Sequence, residues 1–105
     1  MTFDWVNYIK LSQELVKKKK ESYLRSSISR AYYGVFCLAR NKIGYNHNTF
    51  NVHSRVINSY KEDNNMDYKK IGKNLDELKR ARIKSDYIDN TTINKEPIMP
   101  LAPGK

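Results

Sequence analysis

From Leu24 onward, apolar residues return every three or four positions: Leu24, Ile28, Ala31, Val35, Leu38 and Ala39. That period puts them on one side of a helix, here running from about Glu21 to Ile43 with Gly44 as its stop. Arg30, Tyr33, Cys37 and Arg40 fall on the opposite side, which predicts a core face backed by a polar-aromatic one. A second stripe, Tyr68, Ile71, Leu75 and Leu78, predicts a helix that opens at Asp67 and ends near Asp89-Asn90. Arg82 continues this stripe, and Asp86 stands one turn further along. A charged pair on a face meant for burial is costly unless paired and hydrogen-bonded, so Arg82 calls for a reason.

Two weaker patterns complete the reading. Thr2 is placed to cap a helix from Phe3 to about Lys19, with Asp4 against its N-terminal dipole and Lys17 to Lys20 at its C-terminal end. Residues 44–49 read as a loop by turn chemistry, and Phe50 to Lys61 as a shorter helix with Phe50, Val56, Ile57 and Tyr60 facing inward. Glu62 to Asn65 is a polar linker. No strand alternation, internal repeat or glycine-rich phosphate loop occurs. The expected fold is all-α, an antiparallel four-helix bundle over residues 1–90. Residues 91–105, with Pro97, Pro100, Pro103 and Gly104, are expected to be extended or disordered.

Composition narrows the partners. The 105 residues carry 20 Lys and Arg against 11 Asp and Glu, a net charge of +9. Such a balance favours anionic partners, with nucleic acid first. The single cysteine, Cys37, excludes an internal disulfide framework, and with two histidines it leaves no metal site. Cys37 reads as a small packing residue. No apolar run approaches the roughly 20 residues a bilayer span requires, and no signal peptide is visible, so a cytoplasmic protein without cofactor or membrane contact is expected.

The segments fall in an order that resembles a known family. Ser29-Arg30-Ala31-Tyr32-Tyr33, Phe36, Ala39-Arg40 and Gly44 look like the central helix of small prokaryotic HEPN-domain proteins. His53-Ser54 with Val56-Ile57 is similar to the start of their next helix, and Arg82 to Tyr87 to their arginine, two residues, small residue, Asp-Tyr signature. The resemblance spans about residues 5 to 90. It implies a four- to five-helix bundle, commonly a homodimer. It also implies RNA cleavage or nucleotide binding in toxin–antitoxin or antiviral settings, with an antitoxin or effector protein as a further partner.

The catalytic form of that family pairs an arginine with a histidine across four to six intervening residues. Histidine moves a ribose hydroxyl or leaving-group proton without a metal, and arginine stabilises the phosphorane charge. Arg40 and His47, with six residues between them, satisfy the spacing, but Gly44 breaks the helix between them. Arg82 occupies the place of the catalytic arginine, and Tyr87 stands where the histidine would fall. With an ordinary pKa near 10, tyrosine is a poor base at neutral pH, though it can bond phosphate or stack on a base. His53, near a helix start, reads as a cap or packing residue.

Two readings of the charged residues stay open. Arg30, Tyr33, Arg40, Arg82, Asp86 and Tyr87 line a groove for RNA or a nucleotide, or Arg30, Tyr33, Arg82 and Asp86 form an interhelical network that only fixes bundle register. In the second case the chain is a non-catalytic interaction module pairing with a nucleotidyltransferase-like or effector protein.

Overall fold

The computed structural model describes residues 3–44, 51–90 and 93. Four helices follow one another, α1 (Val6–Val16), α2 (Glu21–Ile43), α3 (Val52–Lys61) and α4 (Met66–Tyr87), and no strand occurs among the described residues. None of these helices is long and apolar enough to cross a membrane.

Local chemistry explains the boundaries. Gly44 ends α2 in the left-handed region at φ 77°, and its N–H donates to the carbonyls of Arg40 and Asn41. Asn65 caps α4 by accepting from the backbone N–H groups of Asp67 and Tyr68, one position earlier than the expected start at Asp67. α1 is shorter than expected at both ends. Its first turn is closed by Asp4, whose carboxylate accepts from Val6 N–H at 3.1 Å; Thr2 lies outside the described residues. At the other end the helix stops at Val16, and Lys19 turns left-handed at φ 66°, so the lysine run forms the turn into α2. The expected helix start at Phe50 likewise lies outside the described residues, where α3 is seen from Val52.

Glycines set the two closest helix approaches. A Cβ on Gly34 would meet Ile9 Cγ1 at 2.8 Å and the Ile9 backbone nitrogen at 3.2 Å, so α1 lies almost on the α2 backbone. On Gly72 it would meet the Lys61 backbone nitrogen at 2.6 Å, which brings α4 equally close to the end of α3. Ser27 donates its hydroxyl to the Ser12 carbonyl at 2.6 Å, a buried polar tie in the α1–α2 contact.

The register of these contacts corrects the expectation of antiparallel succession. α1 and α2 are antiparallel, since Ser12 meets Ser27 and Ile9 meets Gly34. α3 and α4 are antiparallel too: Lys61 at the end of α3 meets Gly72, while His53 at its start feels the charges of Lys79 and Arg82, further along α4. α2 and α3, however, run parallel: His53 lies beside Tyr32 and Phe36, and Tyr60 donates to the Ala39 carbonyl at 2.8 Å. Six residues, 45–50, lie between Gly44 and Asn51, and a short turn would have enforced the opposite direction.

α2 sits between α1 on one side and α3 with α4 on the other, and its sides differ from the expected division. Ile28, Ala31, Tyr32, Phe36, Cys37 and Ala39 are buried together with Val56, Ile57 and Tyr60 of α3 and Leu75 and Leu78 of α4. Cys37 therefore belongs to the core, whereas Leu38 is exposed. A helix packed on two sides buries more of its circumference than a single stripe, and no separate polar-aromatic face survives. The expected segment 91–105 lies outside the described residues except for Ile93, which packs half-buried against the core.

Candidate functional site

α2, α3 and α4 meet around Arg82. At its place on the inward stripe of α4, the guanidinium lies 5.4 Å from the ring centroids of both Tyr32 and Tyr33. The side chain is 14% exposed, and Asp86 accepts from Nη1 at 3.4 Å across one helical turn. That distance is long for a charge-assisted bond. Nε is buried and has no hydrogen-bond partner among the described residues. Guanidinium offers five donors in a fixed fork, so the aromatic walls and one distant carboxylate leave most of its capacity unused.

Beside it, α3 contributes His53. The ring stacks on Phe36 at 4.1 Å, and Nδ1 lies 2.6 Å from the Tyr32 hydroxyl, a hydrogen bond whose donor depends on the imidazole tautomer. Tyr33 meets the same ring edge-on. Burial lowers the His53 pKa, and the positive charges of Arg82, Lys79 and Arg40 lower it further, so the imidazole is neutral at pH 7. Burial holds the Tyr32 phenol well above its ordinary value, an effect Arg82 partly opposes. The result is a half-buried neutral imidazole facing three cations, with Asp86 as the carboxylate bound to Arg82.

The residues expected to act together divide. Arg82, Asp86 and Tyr33 are joined, and Arg40 is near enough for its charge to bear on His53 while its Nε and Nη2 donate to Asn41 Oδ1. Arg30 turns instead to α1, where its guanidinium lies 4.9 Å from the Tyr8 ring centroid. Tyr33 is three positions on, nearly one turn, yet α2 is packed on both sides and the two face different neighbours. Tyr87 is 72% exposed. His47 lies outside the described residues. Burial raises the Cys37 thiol pKa, the sign of a packing residue and not of a thiolate nucleophile. Among the described residues no group of three or more His, Cys, Asp or Glu is arranged to hold a metal.

His53, Tyr32, Phe36 and Lys79 are the members that the sequence did not bring together. His53 is not a cap, since Asn51 precedes α3 without a side-chain cap bond. The aromatic spacing Tyr32-Tyr33-Phe36 on α2 was the available signal for it, a platform one ring short of closure. Comparison of the chain with protein-family models, with curated proteins and with solved structures found no match.

Proposed function

We propose that this chain is a HEPN-like RNA-binding protein that holds a phosphate of the RNA at Arg82, in a toxin–antitoxin or antiviral setting. The observation that carries the reading is the Arg82 guanidinium, sunk between Tyr32 and Tyr33 with a buried Nε that has no partner among the described residues. A buried arginine kept only for packing would be expected to spend its donors within the protein, because an unsatisfied buried donor costs about 1–3 kcal/mol. A phosphate oxygen is the acceptor this fork suits. Lys79 and Arg40 add positive charge, and His53 supplies a second donor or acceptor at Nε2. The net charge of +9 brings an anionic polymer to the surface before any specific contact forms.

The competing reading, a helical module that pairs with another protein, is favoured by one fact: Arg82 is largely buried and contacts Asp86. Arg82→Met separates the two. A buried ion replaced by an apolar side chain of similar volume is often neutral or stabilising. If Arg82 serves a ligand, the methionine variant keeps its melting temperature and loses at least tenfold in affinity for labelled single-stranded RNA. If the residue only fixes register, the variant melts earlier and binds RNA as before, which would sink the proposal. The same incubation in EDTA reports cleavage. Products absent in both Arg82→Met and His53→Gln would assign the chemistry to this pair.

A further inference from the structure

Away from Arg82, α4 carries a line of side chains that the site does not use. Lys69, Lys73, Asp76, Arg80, Ile83 and Tyr87 follow one another at spacings of four, three, four, three and four residues, which keeps all six on one outward sector. Lys73 and Arg80 are exposed, Lys69 is partly so, and Lys84 flanks the line one turn beyond Arg80. From Lys69 to Tyr87 the line runs roughly 27 Å at 1.5 Å per residue. Its first half borders a depression of about 400 Å³ between α3 and α4, where Lys61, Lys69, Lys73 and Arg80 face Asp76 and Glu77. Asp76 is already shared by Lys61 and Arg80, each at 3.2 Å, so one carboxylate is divided between two cations and the depression stays positive. Its second half ends on exposed apolar and aromatic surface, Ile83 at 39% and Tyr87 at 72%.

An ordinary solvated helix face would alternate charges or end in polar residues. Here the cations lead to an exposed aromatic ring at the end of α4 where Arg82 and Asp86 lie. Basic residues in file with an exposed ring are the elements of a single-strand track: the cations follow the backbone, and the ring stacks a base without reading its identity. We propose that the outward face of α4 is a track for single-stranded RNA, with Lys69, Lys73, Arg80 and Lys84 on phosphates and Tyr87 under a base. This rests on the RNA-binding reading above and adds the surface by which the strand reaches the Arg82 end of the bundle.

The test is the salt dependence of RNA binding by the full chain, followed by fluorescence anisotropy on a labelled single-stranded oligonucleotide. Each phosphate contact on a single strand contributes about 0.7 to the slope of log affinity against log salt. The variant Lys69→Gln/Lys73→Gln/Arg80→Gln, whose helix propensity is preserved, is expected to lower that slope by about two. A charge-matched control on the α1 side, Lys10→Gln/Lys18→Gln/Lys20→Gln, should lower it by less than one. Tyr87→Ser should weaken binding about tenfold and leave the slope unchanged. Equal slopes in the α4 variant and the wild type, or a larger loss in the α1 control, overturn the track alone, since Arg82→Met still reports on the phosphate site. Failure of the wild-type protein to bind the RNA at all overturns both readings. Far-UV circular dichroism and a melting curve for each variant separate lost contacts from lost folding.

Discussion

The Tyr32 hydroxyl and His53 Nδ1 lie 2.6 Å apart, joining the middle of α2 to the first turn of α3. Tyr32 is fully buried, and the bond satisfies both groups where water does not reach the phenol. Tyr32→Phe removes the hydroxyl and leaves the imidazole nitrogen short of a partner, at a cost of about 1–3 kcal/mol. Chemical denaturation of the two proteins measures it. An unchanged midpoint would show that the bond contributes nothing net.

His53 also gives stability a pH dependence. Its folded pKa lies below the unfolded value of about 6.5, so the unfolded chain binds the proton more readily. Stability from this group is complete above pH 6.5 and is lost as pH falls toward the folded pKa. Urea midpoints should therefore decline between pH 7 and the onset of carboxylate titration, and His53→Gln should flatten that decline. A wild-type midpoint that holds constant or rises on acidification contradicts the assignment.

Arg25 is expected to matter more than any surface pair. Its Nη1 donates to the carbonyls of Ser85 at 2.8 Å and Ile88 at 2.9 Å, and Nη2 to that of Asp89 at 3.1 Å. These are carbonyls at and just beyond the end of α4, which a helix terminus leaves without internal partners. Arg25→Gln should destabilise the protein by about 1.5–3 kcal/mol, the range for bonds to a charged group. Hydrogen exchange should rise first in the last turn of α4. If exchange rises evenly across the chain, the clamp does not act locally.

The two close glycines should respond differently to alanine. At Gly72 the added Cβ meets the Lys61 backbone at 2.6 Å, and backbone cannot step aside cheaply, so about 1–3 kcal/mol should be lost. At Gly34 the nearest atom is a side-chain one, Ile9 Cγ1 at 2.8 Å, and the backbone atoms stand further off at 3.2 Å. Gly34→Ala should cost less than Gly72→Ala in the same denaturation experiment. The reverse order would show that α1 is the less forgiving neighbour.

α2 and α4 were legible in the sequence because each bears a repeating apolar stripe, and Gly44 marks the end of α2; the Asn65 cap, read as part of a polar linker, was not. Arg82 was legible for the same reason: a charge on such a stripe stands out. The direction of α3 was not. Periodicity fixes which residues face inward but carries no sign for the path of the connection before it. His53 was read as a cap or packing residue and packs on α2, but its partners there were not legible, since they follow from the parallel placement of α3 that brings its first turn beside Tyr32 and Phe36. Arg25 was overlooked because its partners are backbone carbonyls some sixty residues away, and no side-chain pattern marks them.

The parallel run of α2 and α3 divides the molecule into two helical hairpins, α1–α2 and α3–α4. Each is closed by its own glycine contact, and the two meet along a single seam. Arg82 and His53 come from one hairpin, and Tyr32, Tyr33 and Phe36 from the other. The Arg82 centre is thus a property of the docked pair and is absent from either half. Separation of the seam would dismantle it while both hairpins remained helical, so its integrity reports on docking, not on helix content.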